Sequence, residues 1–387
     1  MRVVQSCLGK FHHFHLARQL MRRDALECIF TGYPWFKLKG EGLPRAKVRT
    51  FPWIHGLRMG GGRFGLRSPR LIREIEQWSH RAHDRFTFRN LPCCDAFVAL
   101  SECAVETGRL AKQRGALYIC DRGSSHIGFQ SRIMAEEAAT WGLEHRFEEL
   151  VDPRSIAREE MEYQTADLVT VPSEFTRQTF IDEGIPKQKV IKVPYGADIS
   201  RFRRCGEPDR DLFTVLFVGR VSIRKGALYL IDAFNRLPFR NKRLVFAGTV
   251  SQAIEPLLRS RDLTKVKFRG QVAQHNLPQL YSSVHVLALP SIEEGLAYVM
   301  GEAMACGCPV IATPNSGAED LFTNSKEGFI VPAREVDPLL GRLNELREDE
   351  GLRRKMSEAA ILRTGAIGGW DAYGETFFQL LNRHVHP

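Results

Sequence analysis

Short apolar runs recur along the chain, each followed by a glycine-rich or polar turn and then by residues of helical periodicity. In the first half, Arg2–Cys7, Ala25–Thr31, Asp95–Leu100, Leu117–Cys120, the segment opening at Ala166 and Lys189–Val193 predict strands. In the second half, Leu212–Val218, Arg243–Ala247, Val266–Arg269, His285–Leu289, Pro309–Thr313 and Gly328–Val331 predict strands as well. Helices are predicted over Ser68–Asn90, Glu102–Arg114, Arg158–Thr165, the stretch from Arg334 onward and Trp370–Leu381. Strand and helix in strict alternation imply parallel sheets with helices packed on them.

A chain of 387 residues exceeds one ordinary core and predicts two domains. Its 43% hydrophobic and 26% charged residues are those of a soluble globular protein. No run of eighteen apolar residues occurs, and the N-terminal apolar segment is too short for a secretory signal, so a cytoplasmic location is expected. Nine scattered cysteines without a C-x-x-C pair read as reduced core thiols.

The net charge of +10 predicts an anionic partner. Much of it falls in one segment, where Lys37, Lys39, Arg45, Lys47, Arg49, Arg58, Arg63, Arg67, Arg70 and Arg73 face only Glu41. Trp35, Phe36, Phe51, Trp53 and Phe64 are interleaved, and Gly60-Gly61-Gly62 forms a hinge. Residues 35–73 therefore suit either an anionic membrane surface or an acceptor surface, a single-stranded nucleic acid, or a plain loop plugged by its aromatics.

The richest chemistry lies between His285 and Asp320, which reads as strand, loop, helix, strand. Glu294 sits in the loop, and Glu302, eight positions on, about two turns into the helix, so both carboxylates can face one ligand. Gly295 lets backbone amides approach that ligand closely. Acids beside a phosphate would repel it, so hydroxyl groups are their natural partners. A polyol under two acids with a phosphate under amides describes a sugar nucleotide. Earlier, Arg220 and Lys225 flank a strand end and a helix start, where together they can neutralise a diphosphate.

Pro290-Ser291 through Gly307, with Glu-x7-Glu spacing, and the Gly219-Arg220 to Lys225-Gly226 turn resemble the signature of retaining glycosyltransferases of the GT-B fold, family 4. The resemblance implies two Rossmann-like domains facing across a cleft: 1–195 on the acceptor side, 196–369 holding the nucleotide sugar, and 370–387 as a terminal helix crossing back. Pro194-Tyr195-Gly196-Ala197-Asp198 resembles the crossing between the domains. It further implies that Glu302 holds the ribose, Glu294 the sugar hydroxyls, Gly295 and Leu296 the donor, Arg220 and Lys225 the diphosphate, and Val272 the base. Gly9 would bring amides to the phosphates, with Lys10 beside it, and His126 would reach the sugar from the polar loop after Leu117–Cys120. Asp121 and Arg122 are secondary candidates for acceptor contacts, while Ser124 or Ser125 could cap a helix instead. Ala297 stands where the family often has glycine.

Neither metal nor cofactor is expected. Asp209-Arg210-Asp211 spells a metal-binding pattern of other glycosyltransferases but precedes a strand and reads as a turn. His12, His13 and His15 lack an acidic neighbour in sequence and read as basic acceptor-side surface or a solvated helix start. The implied reaction moves a sugar from a UDP- or GDP-linked donor to a glycan or lipid-linked acceptor of the cell envelope or an exopolysaccharide. Peripheral contact with the inner face of the membrane would run through 35–73. The rivals are a GT-B epimerase or phosphorylase and a basic nucleic-acid binder, although no nucleic-acid module is present.

Overall fold

Seven parallel strands build the first sheet: β1 (Val3–Cys7), β2 (Leu26–Thr31), β3 (Val48–Thr50), β4 (Ala96–Leu100), β5 (Leu117–Asp121), β6 (Leu168–Val171) and β7 (Val190–Lys192). Their order is β3-β2-β1-β4-β5-β6-β7. The second sheet holds β8 (Phe213–Val218), β9 (Lys242–Ala247), β10 (Val266–Phe268), β11 (Val286–Leu289), β12 (Val310–Ala312) and β13 (Gly328–Ile330), in the order β10-β9-β8-β11-β12-β13. This is a computed structural model, and it describes residues 1–54, 56, 68–143, 150–196 and 201–385.

Central strands such as β1 and β8 are buried along their whole length, because helices cover both faces of a parallel sheet. In each sheet the strand order reverses once, between β1 and β4 and between β8 and β11. A reversal leaves a crevice at the carboxyl ends of the two strands, since the following connections leave towards opposite faces. Those crevices receive the loops at Leu8–Lys10, Gly219–Gly226 and Pro290–Leu296.

Strand β3 was not expected. Val48 is the one apolar residue in it, and the strand exists because Val48 pairs with Ile29 at the edge of β2. Its cations are consumed locally: Lys47 donates to the Leu26 carbonyl, Arg49 donates to that of Asn90, and the Arg49 guanidinium lies 5.3 Å from the Phe30 ring centroid. This half of the basic segment is sheet edge. Arg58, Arg63, Arg67, Phe64, Gly60-Gly61-Gly62 and the Arg70 side chain lie outside the described residues, as do Ala197 and Asp198. Among the described residues no helix is long and apolar enough to cross a membrane.

The helix Val105–Gln113 shows how buried charges support elements. Ala104 at its N-cap offers no side-chain acceptor, so the orphan amides are met from outside. Asp84 accepts from the amides of Glu106 and Thr107, and Glu162 from those of Glu102 and Ala104. All nine cysteines are unpaired and six of them are buried, in keeping with core thiols.

The last helix, Trp370–Val385, buries Tyr373, Phe377, Leu380 and Leu381 and lies along the helix His13–Arg22. Gln19 and Arg22 both donate to Asp371, and Arg23 to Glu375. Gly196 and Gly369 touch: a Cβ at Gly196 would meet the Trp370 nitrogen at 2.4 Å. The two passages of the chain between its halves are therefore in contact.

Candidate active site

The loops at the two reversals face one another across a cleft of 1540 Å³. That exceeds the 300–1,000 Å³ or so of a pocket for one small ligand and leaves room for two. Gly9, His12 and His15 line one wall, while Glu294, Leu296 and Glu302 line the other.

The second wall is built by one loop resting on another. Gly226 adopts φ +70° and lies so close that a Cβ would meet the Pro290 carbonyl oxygen at 1.9 Å. The amide of Ile292 donates to the Arg224 carbonyl at 2.8 Å, and Thr313 and Asn315 donate to the carbonyls of Ser291 and Ile292. This seating brings Lys225 into an ion pair with Glu294, whose other oxygen accepts from the Ser291 hydroxyl at 3.2 Å. Glu302 projects from the helix Tyr298–Ala305 and accepts from the Tyr281 hydroxyl at 2.9 Å.

The remaining expected residues do not all converge. Neither Arg220, exposed at the end of β8, nor Lys225 is among the cleft-lining residues, so the four charged groups do not share one wall. Val272 packs against the hydrophobic core, and Gln274 reaches the cleft in its place. His126 is turned away: it caps the helix Ile127–Thr140, its Nδ1 accepting from the Gly128 amide at 3.1 Å, and its ring packs on Tyr163 and Phe180. Burial among these rings pushes its pKa down to about 4. Lys10 lines the cleft but is ion-paired with Glu41, which also accepts from Arg18.

The polar loop serves the fold and the junction. Arg122 binds Glu159 at 2.7 Å and Gln130 at 2.6 Å, and burial pushes the Glu159 carboxyl up to about 7. Ser124 and Ser125 do not cap a helix with their side chains. Both hydroxyls donate to Glu293 at 2.6 Å, joined by the Ser125 amide at 3.0 Å, and Arg224 bridges Glu293 and Ser124. Burial opposes charge on Glu293, yet the Arg224 guanidinium and these donors hold its pKa down at about 2. Glu293 and Arg224 were missed in the sequence, where each stands next to the residue chosen.

The histidines depart furthest from expectation. His12 and His13 are buried, and their Nε2 atoms converge on Oδ2 of Asp121, with His13 at 3.0 Å and His12 in direct hydrogen-bond contact. The acidic companion that the local sequence lacks comes from the end of β5, where Thr170 donates to its other oxygen at 2.6 Å. One atom from each of the three lies within 4.8 Å of the others. The three side chains form a hydrogen-bonded cluster. Burial disfavours the Asp121 anion, but His12 and His13 outweigh it and lower its pKa. His15 stacks on Trp370 with ring centroids 3.7 Å apart.

Residues 198–363 match the family model for glycosyl transferases, group 1. The chain is 29% identical over 225 residues to an uncharacterized glycosyltransferase of Methanocaldococcus jannaschii, the match covering 54% of this chain and 58% of that one. It is 30% identical over 269 residues to the GDP-mannose-dependent alpha-(1-6)-phosphatidylinositol monomannoside mannosyltransferase of Mycobacterium tuberculosis, covering 62% and 67%. The match thus spans less than two thirds of the archaeal relative. Among solved structures, HepE of Anabaena in complex with UDP aligns with a TM-score of 0.69 over 99% of this chain and 100% of that one, at 17% identity, a likeness of fold.

Proposed function

Because the chain belongs to the group 1 glycosyl transferases, we propose that it transfers a sugar from a UDP- or GDP-linked donor to a glycan or lipid-linked saccharide. The observation that carries this reading is the pairing of Glu294 and Glu302 on one wall of the cleft, with Lys225 bonded to the first. Residues 196–369 act as the donor domain and 1–195 as the acceptor domain, with 370–387 returning to the latter.

In this reading Glu302, steadied by Tyr281, accepts from the ribose hydroxyls. Glu294 accepts from the sugar and yields Lys225 to the incoming diphosphate. Arg220 approaches the diphosphate from the solvent side, and amides at Gly9, Gly295 and Leu296 complete the phosphate and sugar contacts. Charge grows on the leaving nucleotide, and cations already in place lower that barrier. As in GT-B enzymes of family 4, the anomeric configuration is retained, the acceptor attacks on the face that the phosphate leaves, and no metal ion is required.

The mycobacterial relative is named for a phosphatidylinositol monomannoside, which supports a lipid-linked acceptor and a role in envelope or exopolysaccharide synthesis for this chain. Phe36 and Trp53 are exposed, as are Lys37 and Lys39, a combination suited to the headgroup region of the inner membrane face. A thermal-shift screen of UDP, GDP and their sugars tests the donor assignment. A binder at 100 times its Kd stabilises by about 2.7 kcal/mol, and Glu302→Ala should abolish the shift. Absence of a shift with any of them would remove the reading. Donor incubated alone should yield neither epimer nor a phosphate-dependent product.

A further inference from the structure

We propose that Lys10 and Arg18 form a phosphate subsite in the acceptor wall of the cleft, in which the Glu41 carboxylate stands in for the ligand. The inference rests on the reading above and deepens it by giving the acceptor a phosphate group. Glu41 is the one acid between Lys37 and Arg73, yet its partners lie outside that basic segment. Lys10 Nζ contacts one of its carboxylate oxygens, while Arg18 Nη1 donates to the other at 3.2 Å and to the Glu41 carbonyl at 2.9 Å. Arg18 Nη2 donates to His15 Nδ1 at 2.7 Å, so the guanidinium is oriented from two sides. Lys10, Arg18 and Glu41 all line the cleft.

Charge and donor count favour a phosphate in the place that Glu41 fills. Two cations converge there on one carboxylate, and Arg22, one helical turn beyond Arg18 and also lining the cleft, adds a third. A phosphate monoester carries about −1.5 to −2 at pH 7 and three acceptor oxygens, so it balances the pair better than a single carboxylate does. A guanidinium fork beside an ammonium group also matches its geometry.

Glu41 is placed to leave. It ends the single 3-10 turn Lys39–Glu41 with glycine on either side, where a Cβ at Gly40 would touch nothing and Gly42 takes φ +70°. Glycine gives the backbone the freedom to swing the carboxylate out. Water reaches all three side chains, and ion pairs that water reaches add little net stability, so exchange for a phosphate costs little. The cleft of 1540 Å³ leaves room for such an acceptor beside a donor at Glu294 and Glu302.

Calorimetric titration with inorganic phosphate tests the exchange, with UDP or GDP present to fill the donor side. Glu41→Gln should bind phosphate about tenfold more tightly than wild type, because a competing charge is gone. Lys10→Ala or Arg18→Gln in that background should cancel the gain, with melting temperatures showing that each variant is folded. A network that only braces the loop predicts a lower melting temperature in Glu41→Gln and no gain in phosphate affinity; absence of the gain overturns the subsite, as does a gain that survives both second substitutions. Phosphatidylcholine vesicles carrying phosphatidate should compete with inorganic phosphate where the group arrives on a lipid. Glycerol 3-phosphate competing while the vesicles do not would keep the subsite and assign it to a soluble acceptor. Failure of UDP and GDP to bind would remove the donor reading, and the phosphate titration of the protein alone would still decide the subsite.

Discussion

Single residues divide by whether their chemistry is local. Glu294 and Glu302 could be read together because one loop and a stretch of the helix fix their separation, although the helix starts at Tyr298 and places Glu302 about one turn into it instead of the two expected. His12 and Asp121 could not, since 109 positions and a sheet reversal lie between them. His126 had its place in the loop read correctly and its direction misread, because Tyr163 and Phe180 draw the ring inward. Glu293 carries a prediction at this scale. Its carboxyl is fully buried and its pKa lies at about 2 instead of 4.5, so its contribution is complete above pH 4.5 and is lost as pH falls towards 2. Glu293→Gln should therefore destabilise by about 2–3 kcal/mol at pH 7. The gap from wild type in melting temperature should close between pH 4.5 and 2.5, and a gap independent of pH would show that its charge contributes nothing.

At the scale of elements, the strands with several apolar residues were legible from pattern, and β3, with one, was made by its neighbour. The capping of Val105–Gln113 was equally hidden, because the acceptors come from two other helices, Pro69–Asn90 and Pro153–Thr165. Asp84 accepts two amides and the Thr107 hydroxyl and pairs with Arg158 at 2.6 Å while buried. Asp84→Ala leaves those donors and a cation without their acceptor. A loss of about 3–5 kcal/mol follows, measurable by urea unfolding, with UDP or GDP binding unchanged wherever the protein remains folded. A loss under 1 kcal/mol would mean that water replaces the carboxylate.

Across the whole molecule the two halves meet through polar contacts beside a few ring pairs such as Trp141 on Tyr229 and Tyr195 on Tyr298. Glu293 joins Ser124 and Ser125, Ser173 donates to the Gly295 carbonyl at 2.7 Å, Lys192 pairs with Asp320 at 2.7 Å, and Arg334 and Tyr229 both reach the buried Glu137. Water can replace such contacts at small net cost, unlike a buried apolar interface. The seam is thus suited to opening for substrates, with the touching passages at Gly196 and Gly369 as pivot. Lys192→Ala combined with Arg334→Ala weakens the seam at ion pairs that involve neither Glu294 nor Glu302. The radius of gyration from small-angle scattering should then rise, nucleoside-diphosphate affinity should fall by no more than about threefold because every proposed donor contact except the Gly9 amide belongs to the second half, and turnover should fall by about tenfold because acceptor and donor meet only when the cleft is closed. Affinity and turnover falling together would place the nucleotide across both halves, and unchanged turnover would detach the seam from catalysis.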